Sequence, residues 1–289
     1  MTRSTLSWAK TLGAMLMAAQ LVVSQTANTP PPLTDAQKVR VNRTVSVGYI
    51  LFPGFEPLDV FGPLEILFSM SFYYNMSLAL IAKEAGPVDA RPPPHQMAAG
   101  APPMDLSYMI NPQVVATHTF ENAPKLDLLL VPGGTGNLAL AQHNDTSVER
   151  FIASRFNETE YVLSVCTGAV TLARSGILDG LRATSNKGAW VETTTVKSMT
   201  GGTVTWVPSA RWVENPKVWT SSGVAAGMDM MYAFMKMYYG ETNVDTLMNN
   251  IEYAPHTDAS WDPFSVVHNV PGANKTRSLA DCVGPVGYD

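Results

Sequence analysis

This 289-residue chain has few cysteines, no pattern typical of metal ligands and no excess of positive charge. It has two cysteines, Cys166 and Cys282, and its histidines, cysteines and carboxylates show no metal-ligand spacing. The glycine-rich loop at 133–136 lacks the Gly-Lys-Ser/Thr ending of a phosphate loop, and no dinucleotide fingerprint occurs. The formal net charge of −5 argues against a nucleic-acid surface. The sequence therefore predicts no metal, no cofactor and no nucleic-acid partner.

Internal repeats and compositional breaks are also lacking, so a second domain is not indicated. The length is ample for one large core. We predict a signal peptide at 1–25, a linker at 26–44 and a single domain at 45–255. The tail at 256–289 is aromatic and polar without periodicity, and the sequence assigns it no role.

The N-terminus has the pattern of a secretory signal. Arg3 and Lys10 supply positive charge, residues 12–23 are apolar, and Ser24 and Gln25 form a small-residue cleavage zone. The apolar stretch is short for a membrane span, so an uncleaved anchor is the less favoured alternative. We expect a secreted protein with no membrane contact after cleavage.

Five sequons agree with export, because Asn-X-Ser/Thr is the acceptor of N-glycans in secreted proteins. The predicted glycosylation sites are Asn42, Asn75, Asn144, Asn157 and Asn274.

The central feature is an apolar β-type run at 161–165 that breaks at Cys166 and Gly168 into a segment of helical periodicity. Strand, turn and helix place the cysteine at a helix N-terminus, where the helix dipole favours the nucleophilic thiolate. Two other interpretations stay open. Cys166 could be a buried structural cysteine, or it could pair with Cys282 in an oxidising compartment.

Two further loops follow buried strands. The strand predicted at 45–52 leads to Asp59 in a first helical turn, as either a carboxylate complementing the helix dipole or an acid/base group. The strand at 126–131 leads to the turn 132–136, whose N–H groups could stabilise negative charge, unless it is a plain connection.

Alternating strands and helices predict an α/β sandwich with a mainly parallel sheet, in which these three loops meet at one edge. Other predicted elements are a strand at 77–82, helices at 138–156, 190–199, 223–237 and 244–253, and β segments at 204–207, 210–213 and 217–220. Methionines surround the helix at 223–237, which predicts a buried helix in the core or a dimer interface.

The loops carry a recognisable set of motifs. They are 51–63 (LFPGFEPLDVFGP), 128–136 (LLLVPGGTG), 162–168 (VLSVCTG), 180–184 (GLRAT), 223–229 (GVAAGMD) and 251–255 (IEYAP). In this order they resemble the DJ-1/PfpI family, and within it the isonitrile hydratase branch. The resemblance implies a flavodoxin-like three-layer sandwich over 45–255, a homodimer, a small-molecule substrate and no cofactor.

The resemblance also implies roles for single residues. Cys166 matches the family's nucleophile, Asp59 the carboxylate that moves protons, and Thr167 the residue that helps to hold the substrate. The substrate-binding or oxyanion positions are Gly133, Gly134, Thr135 and Val224.

The reaction implied is hydration of an organic isocyanide to an N-formamide through a cysteine thioimidate. Asp59 could serve both steps only if it kept its proton near neutral pH, which requires an apolar pocket. Phe55, Phe61 and Val224 are candidates to line that pocket, although core packing explains them equally well.

One motif departs from many relatives, which carry a histidine after the Arg-Ala-Thr strand. Here the chain reads Thr184-Ser185-Asn186-Lys187, so a Cys-His pair is not predicted, and Lys187 is expected to alter the pocket. The alternatives are another reaction on the same scaffold, or a non-catalytic secreted protein with Cys166 oxidised or disulfide-bonded. A transcriptional regulator is disfavoured because the tail is too short for helix-turn-helix pairs.

Overall fold

The computed structural model describes residues 30–97, 100–277 and 279. The predicted signal peptide and Cys282 lie outside these residues.

The strands of the described residues come in chain order as follows. They are β1 Val45–Ile50, β2 Met76–Ala82, β3 Gly86–Asp89, β4 Gln113–Ala116, β5 His118–Thr119, β6 Leu128–Val131, β7 Tyr161–Ser164, β8 Arg182–Ala183, β9 Thr205–Trp206, β10 Trp212–Glu214 and β11 Val218–Ser221.

The helices alternate with these strands through most of the chain. They are α1 Asp35–Val41, α2 Pro57–Met70, α3 Gly136–Gln142, α4 Ser147–Arg155, α5 Gly168–Arg174, α6 Trp190–Thr194, α7 Val224–Tyr239, α8 Glu241–Asn250 and α9 Phe264–Val267.

Seven strands form the main sheet in the order β10-β11-β7-β6-β1-β2-β5. All neighbours are parallel except the antiparallel pair β10 and β11. The five strands β2-β1-β6-β7-β11 have the flavodoxin-like order 2-1-3-4-5, when these strands are counted along the chain. The α/β sandwich with a mainly parallel sheet is confirmed.

The direction of the chain reverses between β1 and β6. From β1 the chain moves outward to β2, whereas from β6 it moves through β7 to β11. Right-handed crossovers therefore place helices on both faces. Helices α1, α2, α7 and α8 pack together, and α3, α4 and α6 each pack against α5. Ligands bind at such a switch point, beyond the carboxyl ends of the strands.

Helix α7 lies in the core, as its methionines predict. Met230, Met231 and Met235 are fully buried, next to the buried rings of Phe234 and Tyr238. The burial of these five side chains within one chain favours core packing over a dimer interface for this helix.

The helix predicted at 138–156 is two helices, so its continuity was wrong. Asn144 takes a positive φ of 52°, and the Asp145 carboxylate accepts a hydrogen bond from the Ser147 N–H at 2.9 Å. This turn ends one helix and orients the next, as Asn and Asp commonly do. The helix at 190–199 is also shorter than predicted, since α6 ends at Thr194.

Part of the predicted linker is structured. Helix α1 begins with a capping box between Thr34 and Gln37, and the Gln37 side-chain amide donates to the Met237 carbonyl at 3.0 Å. The Arg40 guanidinium donates to Glu160 at 3.0 Å and lies 4.2 Å from the Tyr238 ring centroid. The helix is therefore anchored to α7.

The acceptor asparagines of all five sequons are exposed. No helix within the described residues is long and apolar enough to span a membrane.

We expect Arg40→Ala to lower the free energy of unfolding by about 2 kcal/mol, because it removes charged hydrogen bonds and a cation–π contact. Lys38→Ala is the matched control on the same helix, where an exposed pair with Asp35 is worth less than about 0.5 kcal/mol. Urea denaturation measures both. Equal stability of the two variants would contradict the anchoring of α1.

Candidate active site

Cys166 lies on a strained turn between β7 and α5. Its φ of +59° is in the left-handed region, which costs a non-glycine residue about 1–3 kcal/mol. Hydrogen bonds hold both backbone groups, because the Cys166 N–H donates to the Ser222 carbonyl at 2.7 Å and the Ser185 hydroxyl donates to the Cys166 carbonyl at 2.9 Å. The predicted strand, turn and helix are confirmed.

Asp59 lies in the first turn of α2 and is fully buried. Its Oδ2 accepts a hydrogen bond from the Gly133 N–H at 2.8 Å. Its Oδ1 is buried and has no hydrogen-bond partner among the described residues. The Cys166 thiol is close enough to act on this carboxyl. The sheet edge therefore brings the predicted acid/base group and the predicted nucleophile together.

Burial raises the pKa of Asp59 to about 7. The Gly133 N–H and the Cys166 thiol offset this shift in part, whereas the charge of Glu56 adds to it. The expectation that Asp59 keeps its proton near neutral pH agrees with this value. Glu56 is a contributor that the sequence interpretation missed.

Burial opposes the thiolate that the helix dipole favours at Cys166. Burial raises the pKa of the Cys166 thiol well above its usual range, and the Asp59 charge raises it further. The Thr167 N–H and the Asn186 amide lower the pKa only in part. Desolvation outweighs the donors at the short helix α5, so the sulfur is a neutral thiol that needs a base.

Asn186 is a site residue that the sequence interpretation overlooked. Its side-chain amide donates to the Cys166 sulfur at 3.2 Å, and its Oδ1 accepts from the Ala189 N–H at 3.1 Å, which orients the amide. In the Thr184–Lys187 turn, the sequence interpretation uses the missing histidine and Lys187 but not Asn186. An asparagine is itself a donor, and that was the available signal.

The turn at 132–136 packs against the nucleophile. A Cβ on Gly133 would lie 2.9 Å from the Cys166 Cβ, so only glycine fits there. The Gly133 N–H is engaged by Asp59, and the Gly134 N–H donates to the Thr167 Oγ1 at 2.9 Å. Both predicted oxyanion donors therefore have protein partners in this structure, and Thr135 is exposed at the start of α3.

A cavity of about 270 Å³ begins beside Asn186. Its lining comprises Asn186, Lys187, Gly188, Arg211, Ser222, Gly223, Val224, Ala225, Ala226, Phe264 and His268. Val224 lines this cavity together with Asn186, whose amide binds the Cys166 sulfur, whereas Cys166 and Asp59 are not among the lining residues. Phe61 does not line this cavity, because it borders a separate surface groove between α2 and β2. Phe55 is buried in the core.

A cluster of buried charged residues lies next to the cysteine turn. Arg211 donates to Asp229 at 2.7 Å and to Asp262 at 3.3 Å. The Lys187 ammonium lies 3.9 Å from Asp262, and burial lowers its pKa to about 7. Ser222, whose carbonyl binds the Cys166 N–H, donates its hydroxyl to Asp262. The cluster therefore fixes two turns that contact Cys166, the turn that contains Ser222 and the turn that contains Lys187.

Within the described part of the chain, no three His, Cys, Asp or Glu residues are grouped so as to hold a metal ion. Cys166 forms no disulfide with any of the described residues, which do not include Cys282.

We expect Asn186→Ala to raise the apparent pKa of Cys166 by about one unit, because a hydrogen bond to a charged group is worth about 1.5–3 kcal/mol. Asn186→Asp should raise it more, since a carboxylate then faces the thiolate. The pH dependence of alkylation by iodoacetamide measures this pKa. Asn250→Ala, an exposed residue at the end of α8, is the control. Superimposable profiles for all variants would show that the sulfur does not depend on Asn186.

Asp59 should make folding stability depend on pH. Its pKa is raised from 3.8 in the unfolded chain to about 7, so the folded state alone holds this proton between those values. Its contribution to stability is complete below about pH 4 and is lost as pH rises to about 7, amounting to roughly 4 kcal/mol.

Urea denaturation across this pH range should therefore show a decline in wild type that is absent in Asp59→Asn. The exposed Asp35→Asn is the control and keeps the wild-type profile. An unchanged decline in Asp59→Asn would assign the titration to another group.

Comparison with known proteins identifies the family. The family model described as DJ-1/PfpI family matches residues 45–237. The isonitrile hydratase of Pseudomonas putida is 29% identical over 211 residues, which are 73% of this chain and 79% of the relative.

Solved structures give the same result. A THiJ/PfpI family protein from Pseudomonas syringae superposes with a TM-score of 0.59 at 25% identity, covering 80% of this chain and 85% of that one. Drosophila melanogaster DJ-1beta shares the fold with a TM-score of 0.54 at 16% identity, covering 73% and 100%. Since the family model spans more than half of the sequence, the chain belongs to the DJ-1/PfpI family.

Proposed function

We propose that this protein adds water to an organic isocyanide and releases an N-formamide. The observation that carries the proposal is the buried pair of Cys166 and Asp59, in which a neutral thiol faces a carboxyl group with a pKa of about 7. The similarity to isonitrile hydratase supports the reaction class.

In the first step Asp59 acts as a carboxylate and takes the thiol proton. The sulfur lone pair forms a bond to the terminal isocyanide carbon, and Asp59 returns the proton to that carbon. The product is a thioimidate, R–N=CH–S–Cys166, and the enzyme has gained one isocyanide without losing or gaining protons.

In the second step Asp59 removes a proton from water while the oxygen bonds to the thioimidate carbon, and it passes the proton to the nitrogen. The carbon–sulfur bond then breaks, its electron pair leaves with the sulfur, and the hydroxyl proton returns to the thiolate through Asp59. The products are the N-formamide and free Cys166. The net reaction is R–NC plus H₂O to R–NH–CHO.

The geometry suits this chemistry because attack on the isocyanide carbon leaves negative charge on carbon, which a proton transfer removes. Oxyanion donors are not needed in that step, so the engagement of the Gly133 and Gly134 N–H groups by Asp59 and Thr167 is compatible with it. We assign these glycines to positioning Asp59 and Thr167. Thr167 holds the substrate beside the sulfur, together with Val224.

Asn186 acts on the departing sulfur. Its amide donates to Sγ, so it stabilises the thiolate that forms when the carbon–sulfur bond breaks. This donor does not titrate, and it lies in the turn where many relatives carry a histidine. The second candidate function is a different small-molecule reaction on the same cysteine, since the fold family alone does not fix the chemistry.

We propose that the protein is secreted, glycosylated and homodimeric. The exposure of the five sequon asparagines is compatible with glycosylation, and the signal pattern at 1–25 carries the localisation. The dimer rests on the family resemblance alone.

The test is formamide production from benzyl isocyanide by the secreted protein, with and without mild reductant. Cys166→Ala should abolish turnover, and Asp59→Asn should lower kcat by about a hundredfold or more. Ser69→Ala, in a buried residue at the far end of α2 from Asp59 and outside every sequon, controls for general damage to the core.

Free-thiol titration accompanies the assay. Near-normal turnover in both site variants would contradict the mechanism. No turnover with a titratable thiol would favour another substrate. No turnover and no free thiol would favour the disulfide with Cys282.

A further inference from the structure

The chain beyond the family match returns to the active site. The match ends at residue 237, whereas Asp262 is fully buried among site residues. The Asp262 N–H donates to the Ser209 carbonyl at 2.7 Å, and its carboxylate accepts from Arg211 and Ser222. The segment that follows, α9 and His268, is thereby held in place beside the cysteine turn.

Phe264 and His268 line the cavity described above, together with Val224 and Ala226. Phe264 is 50% exposed although it is a large apolar ring in a fixed position. His268 covers Gly188, since a Cβ on that glycine would lie 3.3 Å from the imidazole Cε1. The cavity therefore has an aromatic wall that the tail alone supplies.

The cavity is close to the reacting sulfur. Asn186 lines it and donates to Sγ at 3.2 Å, so the nucleophile, which is not itself among the lining residues, lies one side chain away from the cavity. A Cβ on Gly223 would lie 3.2 Å from the same amide, so only backbone borders the cavity there. A substrate bonded to Cys166 through its terminal carbon can extend its remaining group into this space.

The chemistry of the lining indicates which group fits. Val224, Ala226 and Phe264 are apolar, and the charged groups of Lys187 and Arg211 at the base are already paired with Asp262. A volume of about 270 Å³ is below the ~300–1,000 Å³ of sites for drug-sized ligands. One aromatic ring or a short branched alkyl group is the appropriate occupant.

We propose that Phe264 and His268 of the C-terminal segment bind the organic substituent of the substrate and select for a single aromatic ring. This inference rests on the proposed function. It makes the tail, which the sequence left without a role, the specificity-determining part of the site.

The first experiment compares kcat/KM for benzyl isocyanide and methyl isocyanide. Wild type should prefer the benzyl compound, and Phe264→Ala should lower this preference about tenfold, as expected for loss of an apolar pocket contact. His268→Ala should lower it less, because its ring closes the cavity beside Gly188. Phe72→Ala removes an aromatic side chain that is 76% exposed at the end of α2, and it should leave the preference unchanged.

A second experiment does not depend on isocyanide turnover. Cys166 is alkylated with N-benzyl chloroacetamide or with chloroacetamide, and the ratio of the two rates is measured for the same variants. A benzyl preference in wild type that Phe264→Ala loses would support the binding wall even if no isocyanide reacts. Absence of the preference in wild type, or its persistence in Phe264→Ala, would overturn the proposal while leaving the hydratase proposal to its own test.

Discussion

The site depends on one contact, a neutral thiol held against a buried carboxyl group. Asp59 has a pKa of about 7 because burial outweighs the hydrogen bond from Gly133, and the same burial keeps the proton on Cys166. In this buried environment, ionising either group costs free energy of desolvation. The pair therefore holds a mobile proton near neutral pH, which is the requirement for an acid that must also act as a base.

The rest of the fold holds that contact in place. The parallel order of β1, β6 and β7 brings Asp59, Gly133 and Cys166 to one edge of the sheet, and the left-handed backbone at Cys166 turns the sulfur toward the carboxyl. A strained residue persists only where its surroundings fix it. Here Ser222 and Ser185 bind the two backbone groups of Cys166, and Asp262 binds Ser222 in turn.

The sequence predicted the parts of the structure that depend on local pattern. The apolar runs of β1, β6 and β7 and the glycines at 133 and 168 were sufficient to place Asp59 and Cys166 at one edge, before any coordinates. Asn186 and the tail could not be placed, because their roles come from contacts distant in sequence. The raised pKa of the thiol could not be predicted for a related reason, since the helix terminus is visible in the sequence whereas desolvation of the sulfur is not. Helix α1 was missed because its stability comes from Arg40 and Gln37 packing on α7.

The site is built from two parts of the chain. The cysteine, the carboxyl and the glycine turn lie within the family match, and each is constrained by contacts shorter than 3 Å to its neighbours. Substitutions there change the pKa of Asp59 and therefore the availability of the proton in the proposed mechanism. The wall formed by α9 and His268 lies outside the match, and Asp262 joins it to the site through Ser222, Arg211 and Lys187. Exposed side chains on such a wall can vary at little cost in stability. Under the proposed function, the surface that contacts the organic group belongs to a different part of the chain from Cys166 and Asp59, so it can change while that pair stays the same.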